Sequence, residues 1–138
     1  MYWGKAFMEK KVIKLQKAVN QTNLFEWQLS QFNKESLKLI GSFNLSYYHS
    51  VEVVFYGVSY IECPTYFQYP RFRLATNEEN ERLKIKDIEY EIAFCFEEED
   101  LDLTYYICAR GFNLEFCTVY HYRRENLTDG ERIADWVK

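Results

Sequence analysis

The chain has 138 residues and a formal net charge of −4, and Phe, Trp and Tyr make up 19% of it. This length fits one domain, and a domain of this size buries enough apolar surface to fold without a structural metal or a disulfide framework. A charged share of 28%, with apolar residues spread along the whole chain, argues against intrinsic disorder. We therefore expect a single globular domain over residues 1–138.

No uncharged apolar run approaches the roughly 20 residues that cross a bilayer. Lysines interrupt the apolar residues near the N-terminus, so this segment lacks the apolar region of a signal peptide. We expect a cytoplasmic protein that has no membrane partner.

The cysteines are too far apart for the C-x-x-C pairs of paired-cysteine zinc sites. They are Cys63, Cys95, Cys108 and Cys117. The last three lie in apolar, strand-like runs, where a free cysteine behaves as a small buried hydrophobic residue. We expect free thiols, no metal site and no cofactor.

Apolar residues at helical spacing predict an N-terminal amphipathic helix. Met8, Val12, Leu15 and Val19 share one face, and lysines occupy the others. After a polar break at residues 20–23 the period of the pattern changes from 3.6 to 2. Residues 24–45 then predict an antiparallel hairpin.

The next segment, residues 51–61, is apolar on both faces of a predicted strand. This pattern is typical of a central strand that is covered on both sides, or of a strand in a closed barrel. Gly57, in its middle, indicates a bulge or a close approach of backbone. Pro64 ends the strand, because proline cannot donate a hydrogen bond to the sheet.

Further strands are predicted at residues 72–74, at 88–96 and in a last hairpin of 103–109 and 112–122, whereas residues 76–82 look like a charged connection. Thr128 and Glu131 match a capping box, which predicts a short C-terminal helix. Because this order contains few crossover helices, a parallel α/β sheet is not expected. We expect an α+β, mainly β fold: the N-terminal helix packed on a curved, mostly antiparallel sheet or partly closed barrel of about six to seven strands.

Charge is unevenly distributed along the chain. Residues 1–40 have a balance of +4, and residues 78–102 have a balance of −8. The acidic segment favours a basic protein partner, or a homodimer in which it meets the basic helix. We expect no nucleic-acid partner, because the lysine-rich part of the chain is confined to that helix.

Several aromatic rings lie at or beyond strand ends, where a core does not require them. Together with nearby arginines, which are enriched in interface hot spots, and with the acidic turn, they form the predicted contact surface. Its residues are Tyr66, Phe67, Tyr69, Arg71, Arg73, Glu97, Glu98, Glu99 and Asp100. The pattern favours a protein-binding module of the same type as small acidic antidote or immunity proteins, which neutralise a basic toxin.

Two alternatives remain open at this point. The doubly apolar strand and the aromatic excess are also compatible with a domain that binds a small molecule or lipid. Its pocket would be lined by Tyr56, Tyr60, Tyr90, Glu89, Glu91 and His121. The second alternative is a carboxylate-dependent enzyme that uses Glu89 or Glu91 with His121 in one cleft.

The sequence offers little else for catalysis. It has two histidines, His49 and His121, and no G-x-S-x-G turn or glycine-rich phosphate loop. Cys117 and His121 are four residues apart, which in a strand separates them by about 13 Å. We assign no catalytic residue and expect that the protein is not an enzyme.

Overall fold

A computed structural model describes residues 3–138, except for the side chains of Trp3 and Glu99. The helices are α1 (Trp3–Thr22) and α2 (Asn77–Ile85), and a 3₁₀ turn spans Glu99–Leu101. The strands are β1 (Glu26–Asn33), β2 (Ser36–Ser42), β3 (Tyr48–Tyr56), β4 (Tyr60–Glu62), β5 (Tyr66–Gln68), β6 (Pro70–Leu74), β7 (Ile92–Glu98), β8 (Leu103–Ala109), β9 (Gly111–Tyr120) and β10 (Glu131–Ile133). The α+β, mainly β class is confirmed.

The strands form two sheets. One sheet has six strands in the order β10-β9-β3-β2-β1-β5, and the other has four in the order β4-β8-β7-β6. All pairs are antiparallel except β10 with β9. Neither sheet closes on itself, so of the two predicted arrangements, a curved sheet or a partly closed barrel, the barrel is not formed. The predicted strand number was too low because three strands are only three residues long: β4, β5 and β10.

The predicted face of α1 is buried: Met8, Val12, Leu15 and Val19 are each at most 8% exposed. The helix packs on both sheets, since Lys11 donates a hydrogen bond to the Phe112 carbonyl at 2.7 Å and Gln16 accepts one from the Phe72 amide at 2.6 Å. Within residues 3–138, no helix combines the length and the hydropathy of a membrane span.

Aromatic rings fill the space between the sheets. Phe55 of β3 meets Phe94 of β7 at 5.3 Å between ring centroids, and Phe67 of β5 meets Phe96 of β7 at 5.1 Å. These separations are those of offset or edge-to-face pairs, which add to the free energy gained from burial. Much of the aromatic excess is therefore core.

The single strand predicted over residues 51–61 is wrong. The chain turns at Gly57, which has a φ of +63°, and β4 then joins the other sheet. A Cβ at this position would clash with the side chain of Arg110. The group that approaches Gly57 is thus a side chain and not the backbone of another strand, and the glycine lies where the chain changes sheets.

The predicted C-terminal helix is also wrong. The Thr128 amide donates to the Glu131 carboxylate at 3.0 Å, as in half of a capping box. Gly130 then adopts a φ of +81°, and the chain continues as β10 alongside β9.

The second helix lies instead at residues 77–85, where we expected a charged connection. Thr76 and Glu79 form the complete capping box that begins α2. The sequence of this segment shows no helical spacing of apolar residues, because the helix buries only Glu79 and Leu83. The T-x-x-E spacing was the available signal.

Candidate functional site

The predicted contact surface divides into buried and exposed parts. Phe67 is 1% exposed and Glu98 is 8% exposed, so the expectation that the Phe67 ring is on the surface is wrong. Arg73 forms ion pairs with Glu79 and Glu97 inside the protein. The side chain of Glu99 lies outside the part of the chain that the structure describes.

Tyr69 is the most prominent residue of the exposed part. It links β5 in the six-stranded sheet to β6 in the four-stranded sheet, and its amide donates to the Phe25 carbonyl at 2.8 Å. Its ring stacks on Phe25 with 5.1 Å between ring centroids, and Phe43 meets Phe25 edge-on at 5.4 Å. Tyr69 nevertheless remains 61% exposed, and Phe43 remains 50% exposed.

The Tyr69 backbone has a φ of +50°. Left-handed backbone is unfavourable for a bulky residue that has a Cβ, at a cost on the order of 1–2 kcal/mol. Here the conformation occurs where the chain passes from one sheet to the other, between β5 and β6.

Beside Tyr69 lies a cleft of about 460 Å³, which we call the Tyr69 cleft. Its lining residues are Gln68, Tyr69, Glu98, Asp100 and Leu101. Leu101 is 63% exposed, and Asp100 is also exposed. Arg71 lines a second cleft, between Tyr69 and the end of α1.

Glu98 is the buried acidic group of the Tyr69 cleft. One carboxylate oxygen accepts a hydrogen bond from the backbone N–H of Gln68 at 2.6 Å, and the other accepts one from the Tyr105 hydroxyl at 2.8 Å. Burial, together with this hydrogen bond, raises the pKa of Tyr105 to about 12. Among the described side chains, no lysine or arginine forms an ion pair with Glu98.

Glu79 is a second buried acid of residues 78–102, and its negative charge is compensated by neighbouring groups. Glu79 accepts two hydrogen bonds from the Arg73 guanidinium, at 2.6 and 3.0 Å, and one from the Tyr106 hydroxyl at 2.7 Å. Although burial opposes ionisation, these bonds and the Thr76 backbone hold the pKa of Glu79 at about 2. This cluster fixes α2 on the four-stranded sheet and has a structural role.

The Glu79 cluster makes stability depend on pH in a defined direction. Because the pKa of Glu79 falls from 4.5 to about 2 on folding, its contribution is complete above pH 4.5 and is lost as the pH falls toward 2. We expect wild type to exceed Glu79→Gln in free energy of unfolding by about 3 kcal/mol near neutral pH. Urea unfolding should show this difference shrinking below about pH 4.5. A difference that is independent of pH would contradict the assignment.

The structure does not gather the residues of the alternative ligand pocket. Tyr60 and Tyr90 pack on a small cluster beneath α2 on the four-stranded sheet. The Tyr90 hydroxyl bonds to Asn80 at 2.6 Å, and Tyr60 bonds to Glu62. His121 lies beyond β9 of the other sheet.

The carboxylates of the alternative enzyme site are also far from His121. Glu89 and Glu91 are exposed and precede β7, and Glu91 pairs with Arg110 at 3.7 Å. Arg110 adjoins the first residue of β9, whereas His121 follows the last. Ten strand residues span about 30 Å, so Glu91 and His121 do not share a cleft.

Sequence reasoning missed a polar cluster on the outer face of the six-stranded sheet. His49 and Glu52 are buried, and their side chains meet at 2.8 Å. His49 also meets His121 at 2.8 Å, and Arg132 bonds to Glu52 at 2.6 Å. Burial lowers the pKa of His49 despite the opposing influence of Glu52. No local motif reveals this cluster, because its residues come from three separate parts of the chain.

Cys117 is the remaining member of this cluster. Burial raises the pKa of its thiol to about 11, so the free thiol is protonated at neutral pH. It lies near His49 and Glu52.

Comparison with known proteins adds no functional information: no family model matches the chain, and no curated protein or solved structure shows significant similarity to it.

Proposed function

We propose that the protein is a protein-binding module and that the Tyr69 cleft receives a lysine or arginine side chain of a basic partner. The observation that carries this proposal is the buried carboxylate of Glu98, which accepts two hydrogen bonds but forms no ion pair with a described lysine or arginine. A buried carboxylate is costly unless it is paired. A cation from a partner supplies the missing charge.

The walls of the Tyr69 cleft suit a long basic side chain. Asp100 adds a second negative charge at the rim, and Leu101 offers apolar surface for the aliphatic part of a lysine or arginine. The Tyr69 ring can pack against the cation. Tyr and Arg are the residues most enriched at the centres of interfaces, and Tyr69 with Phe43 provides such an aromatic centre.

The backbone of Tyr69 supports the same surface. Residues with unfavourable backbone conformations are concentrated at functional sites, and Tyr69 combines a positive φ with an exposed ring.

The acidic segment contributes at longer range. Much of its charge is already neutralised within the protein, as with Glu79 and Arg73. The charge that remains, with Asp100 and Glu98 in the cleft, steers a basic partner toward this side of the molecule. The mode of action fits that of an acidic antidote protein that blocks a basic toxin.

The proposal is tested by affinity capture of the tagged chain from extracts of its own cells, with mass spectrometry of the retained proteins. We expect one stoichiometric basic partner, which is released at high salt because screening weakens exposed charge pairs. The variant Glu98→Gln/Asp100→Asn should bind this partner at least about 30-fold more weakly, since removing one member of a buried charge pair costs 2–5 kcal/mol.

The matched control is Glu89→Gln, which removes an exposed acid of the same segment outside the cleft. It should retain wild-type affinity. Equal loss of binding in this control would indicate general electrostatic attraction and would contradict the role of the cleft. Retention of a second copy of the chain, of a small molecule only, or of an acidic partner would also contradict the proposal.

A further inference from the structure

The cluster of His49, Glu52 and Cys117 has the composition of a metal site. One nitrogen of His49, one carboxylate oxygen of Glu52 and the sulfur of Cys117 lie within 4.8 Å of one another. His49 and Glu52 come from β3 and Cys117 from the adjacent β9. This site differs from the paired-cysteine zinc sites that the cysteine spacing excludes, because only one of its ligands is a cysteine.

Local strand geometry explains how these side chains meet. His49 and Glu52 are three residues apart, a spacing that places side chains on opposite faces of a regular strand. The pairing of β3 with β9 shifts register between His49 and Val51, and Cys117 lies in β9 opposite this irregularity. Such bulges redirect side chains and are common next to functional sites.

The contacts of the two histidines fix the orientation of the His49 ring. The His121 Nδ1 atom lies 2.8 Å from the Leu45 carbonyl oxygen, and the His121 Nε2 atom lies 2.8 Å from His49 Nδ1. The other ring nitrogen of His49, Nε2, therefore faces a Glu52 oxygen, at 2.8 Å. Zinc binding requires this nitrogen to carry no hydrogen.

We propose that the cluster binds Zn²⁺ through His49 Nε2, the Glu52 carboxylate and Cys117 Sγ. Nitrogen, oxygen and sulfur ligands of this kind are those that zinc prefers, at about 2.0–2.3 Å from the metal. Tetrahedral ligands at such distances lie roughly 3.5 Å apart, so the three atoms need only small shifts.

The surroundings of the site fit this assignment. A cleft of about 380 Å³, lined by His49, Glu52, Arg132 and Trp136 among others, gives access from solvent and room for a water as fourth ligand. His121 holds the His49 ring through its contact with Nδ1 and so leaves Nε2 available to the metal.

Two cations lie close to the site and must be accommodated. Arg132 is 2.6 Å from a Glu52 oxygen, and Lys38 is 3.6 Å from the other. Zinc bound by one thiolate and one carboxylate is neutral overall, which limits its repulsion with these side chains. The Arg132 side chain is 47% exposed and can turn into solvent.

The test is a titration of the full chain, first treated with a chelator, with Co²⁺ as a spectroscopic probe and with Zn²⁺ in competition with a chromophoric chelator. We expect one equivalent of each metal and a thiolate-to-cobalt charge-transfer band. Cys117→Ser should abolish the band and weaken Zn²⁺ binding at least 100-fold, whereas His121→Asn should weaken it about 10–100-fold.

The control is Cys63→Ser, which removes another half-buried free cysteine and should leave the band and the affinity unchanged. Circular dichroism checks that each variant is folded, and Glu52→Gln serves as a second ligand variant. Absence of the cobalt band in wild type, or equal Zn²⁺ affinities for wild type, Cys117→Ser and Glu52→Gln, would overturn the proposal.

Discussion

Arg73→Ala is expected to lower the free energy of unfolding by about 2–4 kcal/mol. The substitution leaves Glu79 buried with its charge uncompensated, and the two hydrogen bonds from the guanidinium are lost. Because the Arg73 side chain is 27% exposed, water partly replaces it, and we expect the lower part of the range. Urea unfolding at neutral pH measures the effect.

Two comparisons make this prediction specific. Lys84→Ala removes a lysine of α2 whose ion pair with Glu81 is exposed, and it should change stability by less than about 0.5 kcal/mol. The double variant Arg73→Ala/Glu79→Gln also removes the buried charge of Glu79 and leaves only the more exposed Glu97 without Arg73, so part of the lost stability should return. If Arg73→Ala and Lys84→Ala have the same small effect, the internal role of Arg73 is wrong and its predicted role in partner binding is favoured.

Phe67→Ala is expected to lower the free energy of unfolding by about 3–5 kcal/mol. The Phe67 ring lies between the sheets, with centroid distances of 6.4 Å to Trp27, 5.1 Å to Phe96 and 6.0 Å to Tyr105. Its removal loses the free energy of burial and leaves a cavity that rigid neighbours cannot fill. Denaturant unfolding followed by tryptophan fluorescence reports the change directly, because Trp27 is next to the cavity.

The neighbouring residue provides the control for this experiment. Tyr66 is 42% exposed and belongs to the same three-residue strand, but its side chain points away from the core. Tyr66→Ala should cost less than about 1 kcal/mol. Equal costs for the two substitutions would mean that the burial of Phe67 is incorrectly described.

The sequence was sufficient for those elements whose local pattern agrees with their burial. The buried face of α1 and the β1–β2 hairpin follow from periodicity. The hairpin predicted from residues 103–109 and 112–122 is wrong, because β8 and β9 do not pair and the chain changes sheets between them. The sequence pattern predicted the wrong structure where contacts between distant parts of the chain determine which sheet a strand joins. Residues 51–61 look continuous in sequence, yet the chain changes sheets at Gly57.

The capping boxes illustrate the same limit. The T-x-x-E spacing occurs at Thr76 and at Thr128, but only the first begins a helix. At Thr76 the segment that follows packs Leu83 and Glu79 on the sheet. At Thr128 the chain pairs with β9 instead, and the local motif carries no information about that neighbour.

The candidate site was predicted in part. Exposed rings and an acidic turn indicated the surface around Tyr69 and Asp100, which the structure places on one cleft. Burial of Phe67 and the ion pairs of Arg73 could not be predicted, because they depend on which sheet each strand joins. The proximity of His49, His121 and Cys117 likewise depends on the pairing of β3 with β9.

The most direct test of the proposed function is a double-mutant cycle between Glu98 and the basic residues of the captured partner. Binding is measured for wild type and Glu98→Gln against the partner and its alanine variants. We predict that one lysine or arginine couples to Glu98 by at least about 1.5 kcal/mol, as expected for a close charge pair at an interface. If the effects of Glu98→Gln and of every basic substitution simply add, Glu98 does not receive a cation from the partner, and the proposed function of the Tyr69 cleft is wrong.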